Sequence, residues 1–345
     1  MAFWLDIAAF ALKTLLIVVA LGGIAALVAF LARAARGARP DHPRLTVRSL
    51  DERYDAMRDA LEAETLDAKQ RRALAKTRKR QAKAARRARA PDGADKRVYV
   101  LSFKGDLRAS AVKRLAQEID AALTVARPER DEVALRVESA GGTATGYGLA
   151  AAQVMRLRER KVKTTACVDQ VAASGGYMLA CAADRIVAAP FAILGSIGVV
   201  APLPNLHRLL KKNEIDFEEM TAGEFKRTVS VLGEITPAGR EHFRGKLDAT
   251  HEAFKAHVAQ CRPNVDIERV ANGDHWLARE ALGLGLVDEI MTSDELLFSA
   301  RASARLFEVA MEARRSLLQQ LLGGFGVAAR SIADFGLSRW AGGAR

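Results

Sequence analysis

The sequence predicts an α/β protein with a largely parallel sheet, preceded by an N-terminal transmembrane helix and a helical stalk. Three observations predict it. Thr14 to Ala32 is an unbroken run of 19 uncharged residues. Thr46 to Ala90 is rich in Ala, Glu, Arg and Lys and holds neither Gly nor Pro. Beyond Pro91-Asp-Gly93, short β-branched apolar runs alternate with stretches of helical period.

The first run is long enough, at about 1.5 Å per residue, to cross a hydrocarbon core of about 30 Å. A cleaved signal peptide is the rival reading, because Lys13 precedes the run and Ala32-Arg-Ala34 loosely imitates a cleavage site. Such an apolar core usually has about 7 to 15 residues, however. Arg33, Arg36 and Arg39 also follow directly, as at a stop-transfer flank, so the run is expected to be a membrane anchor. The same arginines place the body of the chain in the cytoplasm by the positive-inside rule.

Thr46 to Ala90 reads as one long polar helix that acts as a stalk. Its end carries the charge of the molecule: of a formal +12, eleven Lys or Arg lie between Lys69 and Arg89 with no acid among them. This run suits anionic lipid headgroups or nucleic acid, and suits equally a solvated helix that keeps the stalk extended. The remainder is close to neutral, so no nucleic-acid partner is expected of the folded unit.

After the boundary at Pro91-Asp-Gly93 the elements follow in βα order. Strands are expected at Arg97–Phe103, Val133–Val137, Val162–Val168 and Arg185–Ala188, with helices at Ala109–Val125, Gly148–Arg158 and Ser174–Ala182 between them. A short strand at Phe217–Met220, a long helix at Pro237–Gln260 and a closing strand at Leu286–Ile290 complete the series. Half of the 345 residues are hydrophobic, enough for a sizeable core. In such a fold, functional groups gather on loops at the strand ends.

Three of those loops carry chemistry. Ser174 stands where an apolar run stops and a small-residue helix begins, in Val-Ala-Ala-Ser174-Gly-Gly-Tyr177. A serine there is exposed, and the amides after it point at the oxygen of an attacked carbonyl. A helix cap would put a serine at the same place. Ser139-Ala-Gly-Gly142 follows a strand, and its paired glycines suit either an oxyanion donor or a plain turn. Lys226, in Ala222-Gly-Glu-Phe-Lys226-Arg-Thr228, is one of 53 basic residues and gains meaning only from what is missing elsewhere.

What is missing is a histidine to serve as base. His207, His242, His251 and His257 lie in polar helical stretches, His42 lies near the anchor, and His275 precedes Trp276 at a helix start. A lysine can take that role only when neutral, which requires a dry, enclosed site. The almost uncharged segment Ala188–Val200 could wall it, and Ser196 could bond the amine or merely cap a turn. No His-Glu-x-x-His or paired Cys/His spacing appears, so neither a metal nor another cofactor is expected. Cys167, Cys181 and Cys261 read as small core hydrophobes.

The segments SAGG (139–142), VAASGGY (171–177), GSIGVV (195–200) and AGEFKRT (222–228) resemble the signal peptide peptidase family of membrane-bound bacterial serine proteases, its SohB branch most closely. Ala140 departs from the proline that many members carry before the glycines. The resemblance implies a ClpP/crotonase-type βα superhelix and a Ser-Lys dyad, with Ser174 as nucleophile and Lys226 as general base. It further implies oxyanion donors at Gly142 and Gly175, a lysine-orienting role for Ser196, and ring-like homo-oligomers that enclose the active sites. Residues 1–40 would then be the anchor, 41–93 the stalk, 94–305 the protease domain and 306–345 an amphipathic tail.

The expected function is a serine endopeptidase of the bacterial inner membrane, acting on extended peptides or unfolded protein segments. The side of the membrane stays open, because the arginine flank says cytoplasm whereas the family is understood to act on the outer side. Two alternatives accompany this reading. One is an inactive membrane scaffold on the same fold; the other is acyl-CoA chemistry, for which Ser139 to Thr145 lacks the paired carboxylates.

Overall fold

Seven strands in the order β1-β10-β2-β3-β4-β6-β9 form the main sheet of the computed structural model, which describes Gly22–Gly23 and residues 43–88 and 96–312. The central strands are β2 (Lys96–Lys104), β3 (Glu132–Glu138), β4 (Lys163–Val168) and β6 (Arg185–Ala188), flanked by β9 (Glu289–Ile290) on one side. On the other side lie β10 (Ala304–Glu312) and then β1 (Arg44–Ser49). Every pairing from β10 to β9 is parallel, with Val100 opposite Ala134 and Ala134 opposite Thr165. These strands are buried on both faces, which is why they read as nearly continuous apolar runs.

The two faces bury different layers. Leu101, Phe103, Leu135, Ala166 and Ile186 face helices α3 (Val112–Val125), α4 (Ala144–Glu159), α5 (Gly175–Ala180) and α7 (Pro237–Cys261) in the larger core. Val98, Val100, Ala134, Cys167 and Val187 face a smaller one with Leu50 and Leu297, which belong to α1 (Leu50–Thr65) and α10 (Ser293–Ala300). Alternate residues of one strand thus enter different cores, as the period of two requires. Helix starts follow local chemistry: the Thr236 hydroxyl accepts from the Gly239 amide before Pro237, and Thr292 accepts from Glu295.

The segment expected to be one stalk helix is three elements. Strand β1 lies at the sheet edge, α1 packs through Leu50 and Tyr54, and a second helix, α2 (Ala68–Ala88), begins after a break. The break has a local cause. Asp67 accepts from the Gln70 amide at 2.8 Å while Gln70 accepts from the Asp67 amide at 3.1 Å, a reciprocal cap that starts a new helix. Tyr54 meets the Phe298 ring edge-on with Arg301 stacked over it, and the Asp51 carboxylate accepts from the Leu306 amide.

A second, small sheet runs β5-β7-β8, from β5 (Val171–Ala173), β7 (Ile193–Gly195) and β8 (His275–Leu277). The pair β5–β7 is parallel and β7–β8 antiparallel. The predicted strand at Phe217–Met220 does not form: those residues are exposed and no strand edge pairs with them. Two short helices, α6 (His207–Lys212) and α8 (Ile267–Val270), and α9 (Ala278–Gly283) complete the elements.

Among the described residues no helix is long and apolar enough to cross a membrane. The predicted anchor, apart from Gly22 and Gly23, and the tail beyond Glu312 lie outside the described residues. Residues 45–311 form one compact unit, and β10 runs through the boundary expected at residue 305.

Candidate active site

Ser174 follows the last residue of β5 and precedes the first of α5. The parallel register that sets Ala173 opposite Gly195 continues for one more bond, from the Ser174 amide to the Gly195 carbonyl at 2.7 Å. The chain then turns sharply, so Ser174 has φ +51° and ψ −120°. A non-glycine residue in such a conformation costs about 1–3 kcal/mol and persists only where its surroundings hold it there. Its carbonyl accepts the first helical bond, from Met178, but its hydroxyl does not cap the helix. The capping reading of Ser174 is therefore excluded, and its half-buried side chain is left available.

The Ser139-Ala-Gly-Gly142 loop lies directly against this turn. Ser139 bridges to Ala172 of β5, and Gly141, at φ +97°, approaches so closely that a Cβ there would lie 2.8 Å from both the Gly175 nitrogen and the Ser174 Cβ. Gly142 follows, immediately before Thr143, the residue that precedes α4. Gly175 is the first residue of α5, where an amide has no acceptor within its own helix. The arrangement thus gathers Ser174, Gly175, Gly141 and Gly142 at the starts of two helices, whose positive ends favour a developing negative charge.

Residues that the sequence reading missed lock this loop. Tyr147, fully buried, donates from its hydroxyl to the Asp106 carbonyl at 2.9 Å and lies 2.5 Å from the Ser139 hydroxyl. A carbonyl only accepts, so the Tyr147 proton goes to Asp106 and Ser139 donates to Tyr147. That leaves the Ser139 oxygen to accept from the Gly141 amide at 3.1 Å. Burial, only partly offset by the Ser139 hydroxyl, raises the Tyr147 phenol above its ordinary range. The signal in sequence was slight: a tyrosine one turn beyond a glycine pair, indistinguishable from any core aromatic.

Ser196 begins the loop after β7, as Ser174 does after β5, and it too has positive φ, at +53°. Its amide donates to the Asp274 carbonyl at 2.6 Å. Because β5 and β7 are parallel neighbours, Ser174 and Ser196 leave adjacent strand ends. The structure also places His275 closer to this loop system than sequence suggested. It starts β8 two residues after Gly273, which has φ +87°, and pairs with Gly195. The imidazole is largely exposed and lies beside its neighbour Asp274.

Lys226 is not brought to this group. It is exposed, its amide donates to Gly223, and no hydrogen bond joins it to Ser174 or Ser196. The enclosed apolar surroundings expected for it are not present in the structure. Around it, residues 200–227 are almost all exposed, including Val200 at 86%, Met220 at 94% and Phe225 at 55%. The segment is nonetheless ordered by its own bonds, since Asn205 donates to the Ser230 and Gly233 carbonyls and the Phe225 ring stacks on His242.

Comparison with known proteins agrees with the motif reading. Residues 156–306 match the profile of peptidase family S49 and residues 2–154 that of the peptidase family S49 N-terminal region. The chain is 52% identical over 223 residues to a "Probable protease SohB" of Haemophilus influenzae, covering 65% of this chain and 63% of the relative. It is 49% identical over 225 residues to a "Probable protease SohB" of Buchnera aphidicola, covering 65% of this chain and 67% of that protein. A "Serine protease SPPA, chloroplastic" of Arabidopsis thaliana is 30% identical over 175 residues, 26% of its length. The chain thus spans a little under two thirds of the length of the Haemophilus relative.

Proposed function

The chain belongs to peptidase family S49, and on that premise we propose that it is a serine endopeptidase with Ser174 as nucleophile and Lys226 as general base. The observation that carries the reading is Ser174 itself: a serine held at positive φ whose hydroxyl caps nothing. In this mechanism Ser174 Oγ attacks a peptide carbonyl carbon while its proton passes to the neutral Lys226 amine. The oxyanion takes hydrogen bonds from the Gly142 and Gly175 amides. Lys226 returns the proton to the leaving amine as the peptide C–N bond breaks, and water then releases the acyl group from Ser174. Ser196 orients the lysine amine.

The reading sets a demand on Lys226. To act as a base it must be held neutral, which asks for an enclosed site free of water. The exposed Lys226 segment does not by itself provide one. A homo-oligomer does, by laying a second copy over Val200, Met220 and Phe225 and so removing water from the Lys226 segment. The same reading keeps a ClpP/crotonase-type superhelix, which is supported by the succession of a long strand, a short strand and a helix in β4, β5 and α5. It also keeps Thr14–Ala32 as a single-pass anchor in the bacterial inner membrane, with extended peptides or unfolded segments as substrates.

The test uses the full chain with an unstructured protein as substrate. Ser174→Ala and Lys226→Ala are expected to fold and oligomerise like the parent yet leave the substrate intact, while His275→Gln still cleaves it. Full activity in either of the first two sinks the dyad, and loss in the third transfers the base to His275. Covalent labelling of Ser174 by a serine-directed reagent separates a protease from an inactive scaffold, which would not react.

A further inference from the structure

All three cysteines are buried in the cores, as expected, and two of them also meet a histidine. Burial foremost pushes the thiol of Cys167, on β4, up to about 12. Cys181 closes the C-terminal end of α5, and Cys261 is the last residue of α7. The packing of these helices brings both sulfurs to the ring of His257, one helical turn before Cys261. A donor atom from each of the three residues lies within 4.8 Å of the other two.

The spacing is close to that of a metal site and would tighten around an ion. With zinc–sulfur bonds of about 2.3 Å and zinc–nitrogen bonds of about 2.0 Å, donor atoms on a tetrahedron stand about 3.5–3.8 Å apart. The Cys261 sulfur is 3.9 Å from either ring nitrogen of His257. The ring is also oriented from outside, because His257 Nε2 lies 3.0 Å from the Met178 carbonyl. A carbonyl only accepts, so Nε2 carries a proton and Nδ1 is the nitrogen left to ligate, the arrangement by which metal-ligating histidines are held.

Charge agrees with the geometry. Zinc binds cysteine as the thiolate, so a dication held here would release the protons of Cys181 and Cys261. Two thiolates, a neutral imidazole and a dication sum to zero, which a buried site tolerates. Cys181 and Cys261 are buried and His257 is half-buried.

We propose that Cys181, His257 and Cys261 bind a single zinc ion that ties the C-terminal end of α5 to α7, with water as its fourth ligand. No metal was expected from the sequence, where Cys181 stands 76 residues before His257. The site is separate from the proposed dyad: Ser174 precedes the first residue of α5 and Cys181 follows the last. A soft thiolate-imidazole donor set favours zinc over magnesium or calcium.

The test is on the full chain, purified without chelator and analysed for metals. Zinc is expected near one per chain, with a lower Tm after a chelator removes it and recovery on adding zinc back. Cobalt loaded into the stripped protein should show thiolate-to-cobalt charge-transfer absorption, a reading that needs no variant. Cys261→Ser and His257→Gln should each weaken zinc binding by about tenfold or more. Failure of the parent chain to retain zinc, a cobalt spectrum without the thiolate band, or undiminished zinc in both variants overturns the proposal. So does a Cys181–Cys261 disulfide in protein whose thiols were blocked at cell lysis.

Discussion

The Ser174 amide donates to the Gly195 carbonyl at 2.7 Å, one bond beyond the last register pair of β5 and β7. That bond holds Ser174 at φ +51°, a conformation that glycine adopts without the Cβ penalty. Ser174→Gly should therefore be more stable than Ser174→Ala by about 1 kcal/mol, although both lack a nucleophile. Urea unfolding of the two variants checks this. Equal stabilities would mean that the turn is not strained.

Gly175 is packed against an aromatic ring. A Cβ added there would lie 2.4 Å from Tyr147 Cγ, and Tyr147 is fully buried and cannot move aside without breaking its bonds. Gly175→Ala is expected to cost about 1–3 kcal/mol and to lower cleavage, because the displaced turn carries both Ser174 and the Gly175 amide. Tm and turnover, measured together, test it. An unchanged Tm would show that the turn can relax.

Tyr147→Phe removes one hydroxyl from a chain of donors running from Gly141 through Ser139 to Asp106. The Ser139 hydroxyl and the Asp106 carbonyl each lose a partner, at a cost of about 1–3 kcal/mol. The expected outcome is a lower Tm with a reduced kcat and little change in KM, since the loop it steadies leads to Gly142. Normal kcat would confine Tyr147 to stability.

Asp131 is expected to contribute to acid sensitivity. It is fully buried, and burial alone would raise its pKa, but bonds from the Arg127 side chain and from the Arg127 and Arg97 amides outweigh this and hold it below the usual range. A carboxylate depressed in the fold contributes stability that is complete above its unfolded pKa of about 3.9 and is lost as pH falls through the lower folded value. Asp131→Asn should destabilise the protein at pH 7 and flatten the fall in stability at acid pH. Urea midpoints across the acid range measure both.

A single geometric fact rules out the capping alternative for Ser174, while the reciprocal Asp67/Gln70 cap splits the expected stalk helix in two by side chains that any polar helix could carry. Strands β5, β7 and β8 have three residues each, too few to show a period of two, and they are specified by one another rather than by their own composition.

The amino-acid sequence determined the βα order, the parallel sheet and the glycine-marked loops at Ser139–Gly142 and Ser174–Gly175, because apolar periodicity and turn chemistry are local. Tertiary structure decided what depends on residues far apart in the chain. It set Tyr147 beneath the Ser139 loop, brought Cys181 to His257 and Cys261, and left Lys226 in water where an enclosed site was expected. Helix packing across a shared core creates such neighbourhoods, and no run of residues encodes them by itself.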